Sequence, residues 1–270
     1  MYGKVVGRIF LQDYLGITEG DDTPDTITLS ELVETFPYWE GFIKQIPFKY
    51  KQLFTMFETS DVHPDIIKAM KYFDRVIVPF QYLKEILVKH GVNAYSIDYF
   101  TSQMIREAPR VIPKVKDPER LVFLYVGTND VRKNLKKLVQ KFSELNKHVL
   151  IVKTNTDDGL IQSPNVKIIT NKINTKQMAS LYNMCDYVIS FTRGEGVGMP
   201  MLEADYFGKP IIAHDQGVFR DVKNFVKVPW HVIPSKEVPI DYTDVPPYLY
   251  KVFHGTWWDV DGDFIKEFIK

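Results

Sequence analysis

Apolar positions change period along the chain, and the changes mark its elements. Residues 121–126 form an unbroken apolar run closed by Gly127, the pattern of a strand buried on both faces. Over residues 133–145 the period lengthens, placing Leu135, Leu138, Val139, Phe142 and Leu145 on one helical face. Residues 148–152 and 166–169 read as further strands. Thr175 is expected to cap a helix carrying Met178, Leu181 and Tyr182, followed by a strand over 187–190. A glycine-rich loop, a helix opening at Pro200 and a strand over 210–213 continue the series. Strand alternating with helix predicts right-handed crossovers and a parallel sheet covered on both faces, so this half is expected to be a Rossmann-like domain.

The first half is less regular. Strands are expected over 4–11, 52–57, 75–78 and 93–97. An amphipathic helix over 80–90 carries Tyr82, Leu83, Ile86 and Leu87 and is stopped by Gly91. Residues 21–47 are acidic, proline-punctuated and aromatic, and their pattern assigns no element. Pro109, Pro113 and Pro118 suit neither helix nor sheet interior, which puts a boundary between about 105 and 120. The expected division is a reduced α/β domain over 1–110 and a larger one over 115–270, the latter ending in a helix over 264–269 after Trp257 and Trp258.

Composition narrows the function classes. The 270 residues are 45% hydrophobic and 14% aromatic, enough for a globular core and against wholesale disorder. Lys+Arg and Asp+Glu both number 34, so bulk charge gives no reason to bind nucleic acid, and none is expected as a partner. The single cysteine, Cys185, can form no intrachain disulfide and reads as buried and inert. With no apolar leader over residues 1–10, a cytoplasmic protein is expected. A basic or aromatic patch could dock a membrane peripherally, although no strong amphipathic anchor stands out. Oligomeric state has no sequence signal.

Two strand-to-helix loops carry the candidate chemistry. The first runs Gly127, Thr128, Asn129, Asp130, Val131, Arg132, Lys133, Asn134, Leu135, with Arg132 and Lys133 able to meet a diphosphate. In the second, Arg193, Gly194, Glu195, Gly196, Val197, Gly198, Met199 and Pro200 lead into a helix bearing Glu203. Gly194, Gly196 and Gly198 allow sharp turns and close approach of a ligand. The amides of Gly198 and Met199 at the helix start form a natural diphosphate site. Ligands of open α/β sheets bind at the carboxyl ends of the strands, so both loops can face one crevice. From spacing alone, Glu195 and Glu203 either reach opposite ends of one ligand or serve as a solvated loop residue and a helix-dipole partner.

These residues resemble a known family. Gly127–Leu135 is similar to the G-x-x-x-x-R-K-N-L element of retaining GT-B glycosyltransferases, specifically glycosyltransferase family 4 (glycosyl transferases group 1). Arg193–Ala204 resembles that family's E-G-F-G-x-P-x-L-E-A element with its E-x7-E pair, and the segments 207–213 and 217–221 continue the likeness. Residues 73–82 through 89–92 look like the end of the family's acceptor-side domain. The resemblance implies a GT-B-like α/β fold, two Rossmann-like domains with mostly parallel sheets facing a cleft, the N-terminal one reduced. It implies transfer, with retention, from a nucleoside diphosphate sugar to an unspecified hydroxyl acceptor, with no metal or other cofactor. Glu195 would contact the transferred sugar and Lys133, helped by Arg132 or Arg193, would neutralise the departing diphosphate. Glu203 would hold the ribose hydroxyls, while Thr128, Gly196, Val197, Gly198 and Met199 complete the donor side. Thr128 stands where many members carry an arginine, and Val197 where phenylalanine is usual. A non-catalytic nucleotide-sugar-binding or scaffold protein is the alternative, and an epimerase of the same fold fits less well.

Other signals carry less. Glu58 and His63 are acceptor-side candidates, set against a simple turn ahead of Pro64. Asp259-Val260-Asp261 matches a metal-binding D-x-D but reads better as a helix cap near the end of the chain. The six histidines show no ligand spacing, so no structural metal is expected.

Overall fold

The structure is a computed structural model that describes residues 26–30 (as backbone), 49–97, 119–145, 147–235 and 254–268. Two parallel sheets dominate it. The first contains β1 (Thr26–Ser30), β2 (Tyr50–Phe54), β3 (Arg75–Val78) and β4 (Ala94–Ser96) in that spatial order. Helix α1 (Pro64–Met70) crosses between β2 and β3, and α2 (Gln81–Lys89) between β3 and β4. The strand expected over 4–11 and the proline-rich boundary at 105–118 lie outside the described residues.

The second sheet is built from β5 (Val122–Val126), β6 (Val149–Lys153), β7 (Val166–Ile169), β8 (Tyr187–Ile189), β9 (Ile211–Ala213) and β10 (Phe225–Lys227). Their spatial order is β10-β9-β8-β5-β6-β7, every pairing parallel. Strand order therefore reverses between β5 and β8, the switch point beside which a doubly wound sheet opens its ligand crevice. Helices α3 (Leu135–Ser143), α4 (Thr175–Met184) and α5 (Met199–Tyr206) cross between its strands, and a 3-10 turn (Gly217–Asp221) precedes β10. Two further strands, β11 (Trp230–Pro234) and β12 (Thr256–Val260), pair antiparallel, and α6 (Phe264–Phe268) follows.

The apolar pattern explains the layers. Leu135, Leu138, Val139 and Phe142 of α3 are buried against Phe123, Tyr125, Leu150 and Val152 on one face of the second sheet, and Ile265 of α6 joins them. On the other face, Leu181 and Tyr182 of α4 and Met201 and Ala204 of α5 belong to a cluster that continues into Leu53, Ile66, Val76 and Leu83 of the first sheet's layers. One apolar core thus joins the two halves.

Several element ends differ from expectation by a residue or more, and two of the shifts have a local reason. Asn174, not Thr175, caps α4: its side chain accepts from the Gln177 amide at 2.9 Å while Gln177 Oε1 accepts from the Asn174 amide at 2.9 Å. Helix α3 starts at Leu135 rather than Lys133, because Asn134 is left-handed with φ 54° and separates loop from helix. Strand β2 ends at Phe54, although the Thr55 amide still donates to the Ile77 carbonyl at 3.0 Å. Cys185 is fully buried, as expected.

Candidate active site

Both motif loops leave the carboxyl ends of the strands at the switch point, the first from β5 and the second from β8. The first is tied internally. The Tyr125 hydroxyl donates to the Thr128 carbonyl at 3.0 Å, Thr128 Oγ1 to Asp130 Oδ2 at 2.5 Å, and the Lys133 amide to Asp130 Oδ1 at 2.9 Å. Asn155, after β6, receives the Asn129 amide at 2.8 Å. The loop therefore holds its shape through short polar side chains, and Thr128 is one of its fasteners.

The second loop packs on the first. The Arg193 amide donates to the Arg132 carbonyl at 2.8 Å, and Arg193 Nη1 to the Val131 carbonyl at 2.7 Å. Arg132 Nη1 returns a bond to the Gly194 carbonyl at 2.7 Å. Gly194 and Gly196 allow close approach of the chain itself. A Cβ on Gly194 would stand 1.9 Å from the Glu58 carbonyl oxygen, and one on Gly196 2.7 Å from the Met56 side chain. Gly198 has φ +70° and caps α5, with Pro200 in the first turn. Helix geometry leaves the Met199 amide without an intrahelical acceptor. Val197 is buried in the core, a packing position.

Four charged side chains meet where the loops touch. Lys133 Nζ donates to Glu195 Oε1, Arg132 Nη1 lies 3.5 Å from Glu195 Oε2, and Arg132 Nε pairs with Glu58 at 2.8 Å. Glu195 is only 10% exposed on its side chain, Lys133 12% and Arg132 14%. Burial pushes the Glu195 carboxyl up, yet the Lys133 and Arg132 charges outweigh it and hold the group below the usual carboxylate range. The result is an ionised carboxylate beside two cations, in a partly desolvated setting where electrostatics are strong.

Glu203 lies apart from this cluster. Its Oε2 accepts from the Tyr182 hydroxyl at 2.6 Å, and Tyr182 stacks on Phe207 at 5.3 Å. Burial pushes its carboxyl up to about 7, with Tyr182 opposing the shift. A cavity of about 610 Å³ opens beside the first loop, lined by Thr128, Arg132, Arg193, Asn155 and Trp257 among others. His63 caps α1, accepting from the Asp65 amide at 3.2 Å, and meets His254 edge-on at 5.3 Å. Glu58 joins the ion cluster through Arg132.

Sequence reasoning missed Tyr182 as a polar partner and Asp259 as more than a cap. A tyrosine on a core-facing helix stripe needs somewhere to put its hydroxyl, and that need was the available signal for Tyr182. Asp259 gave none, because its partners are distant in sequence. Among the described residues, no group of three or more His, Cys, Asp or Glu side chains is arranged to share a metal ion, and no helix is long and apolar enough to cross a membrane.

Comparison with known proteins agrees with this architecture. Residues 111–227 match the family model described as Glycosyl transferases group 1. The chain is 24% identical over 199 residues to "Uncharacterized glycosyltransferase 335" of Sulfolobus islandicus rod-shaped virus 1, covering 67% of this chain and 54% of that protein. It thus spans about half the length of the curated relative it matches. Among solved structures, sucrose-phosphate synthase from Thermosynechococcus elongatus aligns with a TM-score of 0.58 at 14% identity, covering 81% of this chain and 62% of the other. TarM of S. aureus, in complex with fondaparinux, alpha-GlcNAc-glycerol and UDP, aligns with a TM-score of 0.54 at 16% identity, covering 80% and 46%. Residues 111–227 are therefore similar to a glycosyl transferases group 1 domain, within an α/β fold of mostly parallel sheets similar to GT-B glycosyltransferases.

Proposed function

We propose that this protein is a retaining, metal-independent glycosyltransferase that moves a hexosyl unit from a nucleoside diphosphate sugar to a hydroxyl acceptor. The observation that carries the proposal is the cluster of Lys133, Arg132, Glu195 and Glu58 at the sheet's switch point. Departure of a nucleoside diphosphate builds negative charge on the leaving oxygen. Preorganised cations contribute most there, because they already face the growing charge. In this reading Lys133 and Arg132 receive the diphosphate, with the amides at the start of α5 assisting. Glu195, ionised between them, supports the positive charge that develops on the sugar. Glu203 accepts from the ribose hydroxyls, and Glu58 brings a carboxylate from the acceptor-side half to the same point.

A second reading has one observation in its favour. Met56 and the Glu58 carbonyl fill the space over Gly194 and Gly196, and carboxylates already engage both cations. A nucleotide-sugar-binding protein without turnover would tolerate such a closed arrangement.

One experiment separates the two. A panel of nucleoside diphosphate sugars is tested for thermal shift and for release of nucleoside diphosphate, with and without EDTA. The enzyme reading expects donor-dependent release that survives EDTA and falls on the order of 100-fold or more in Glu195→Ala. Thermal stabilisation without release across a broad acceptor panel supports the binding protein instead. A donor site elsewhere is indicated if no nucleotide shifts the melt.

A further inference from the structure

We infer that Asp259 is a positioning residue that sets Lys133 and Glu195 in register by tying down both motif loops. Its catalytic consequence rests on the function proposed above; its structural part does not.

Asp259 lies on β12, a strand that among the described residues pairs with β11 alone and belongs to neither main sheet. It is 8% exposed. Burying a carboxylate is costly unless several donors compensate it. Here Oδ1 accepts from Arg193 Nε at 2.8 Å and from Asn134 Nδ2 at 2.9 Å, while Oδ2 accepts from Lys137 Nζ at 2.7 Å. His231 Nε2 lies 3.8 Å from Oδ2. Burial raises the carboxyl, and Lys137 and Arg193 more than offset this, so the group is held ionised.

The choice of partners goes beyond what stability requires. Lys137 alone would neutralise the charge. The other two donors come from different loops: Asn134 is next to Lys133, and Arg193 is two residues before Glu195. One carboxylate oxygen therefore bridges the two segments that present the candidate catalytic cation and carboxylate. The neighbouring residue adds a second tie, since the Trp258 amide donates to the Arg193 carbonyl at 3.0 Å. Asn134 also holds a left-handed backbone, φ 54°, which its bond to Asp259 helps to fix. Asp261, by contrast, makes a local bond just ahead of α6, accepting from the Asp263 amide at 3.1 Å.

The test uses the full chain carrying Asp259→Asn, with hydrogen exchange and donor turnover measured side by side. Exchange at amides of residues 128–135 and 192–199 is expected to quicken by about tenfold, while amides of β5 and β6 keep their protection. Donor kcat/KM is expected to fall about tenfold or more, mostly in kcat, because misplacement harms the transition state more than ground-state binding. Arg193→Gln combined with Asp259→Asn should cost clearly less than the sum of the two single changes, since both break the Arg193–Asp259 bond. Should Asp259→Asn fail to fold, Asn134→Asp sets a like charge against Asp259 and should loosen the same two loops. Loops as protected as in the unaltered protein overturn the inference, as does kcat/KM within about twofold or additive losses in the double variant. If the unaltered protein releases no nucleoside diphosphate, the function reading fails, and the exchange result alone then upholds or overturns the role of Asp259.

Discussion

At the scale of single residues, Glu203 and His214 have pKa values displaced in opposite directions, and the pair makes stability against pH informative. Burial pushes Glu203 from 4.5 up to about 7. His214, 1% exposed and accepting from the Gln216 amide through Nδ1 at 3.2 Å, is pushed by burial from 6.5 down to about 4. A raised carboxyl contributes stability that is complete below its unfolded value and is lost as pH rises through about 7. A depressed imidazole contributes stability that is complete above 6.5 and is lost as pH falls toward about 4. Between pH 4.5 and 6.5 the two slopes offset each other. Removing either group should expose the other. Glu203→Gln is expected to gain stability as pH rises across that window, and His214→Gln to lose it, each by up to roughly 3 kcal/mol. Urea midpoints at several pH values in the window check this; parallel curves for both variants and the unaltered protein would refute it. The site's residues were legible at this scale to the extent that a motif names them. The pKa values were not, because desolvation and the Tyr182 partner exist only in the folded chain.

At the scale of elements, the decisive feature is how the loop after β8 meets the turn after β2. Gly194 has no room for a side chain, with the Glu58 carbonyl oxygen 1.9 Å from where its Cβ would stand. Gly208, which follows α5, has φ +65° and open space around it. The two glycines therefore separate contact from backbone strain. Gly194→Ala is expected to cost roughly 2–4 kcal/mol, because backbone must move on both sides. Gly208→Ala should cost only about 1–2 kcal/mol, the left-handed penalty for an L-residue. Chemical denaturation of both variants measures the difference, and equal losses would show that the close contact has no energetic weight. Most strands and helices were readable from apolar period, since a buried strand or a helix stripe is a local property of the sequence. Their ends were less so: Asn174 took the cap from Thr175 through its reciprocal bonds with Gln177, and the left-handed Asn134 delayed α3.

Across the whole molecule, ionic contacts joining the first half to the second differ sharply in depth. Glu85 and Arg220 meet at 3.4 Å with side chains 42% and 46% exposed, so solvent screens them. Glu58 and Arg132 meet at 2.8 Å, and Arg132 also stands between Glu58 and Glu195. Arg220→Ala is accordingly expected to change stability by less than about 1 kcal/mol. Arg132→Ala should cost roughly 2–4 kcal/mol, because it removes the cation that both Glu58 and Glu195 contact in a partly buried space. Adding Glu58→Gln to Arg132→Ala should recover part of that loss. Urea unfolding of the three variants tests the ranking, and an Arg132→Ala loss no larger than that of Arg220→Ala would contradict it. The sequence by itself determined the α/β alternation, the two motif loops and their attachment to strand ends, because hydrophobic period and glycine placement act over a few residues. Only the tertiary structure decided that β5 and β8 are neighbours, that Glu58 reaches Arg132, and that Asp259 binds Asn134 and Arg193. Those contacts join residues separated by 64 to 125 positions, and no local pattern encodes them. They arise when strand order and core packing bring distant segments to one crevice.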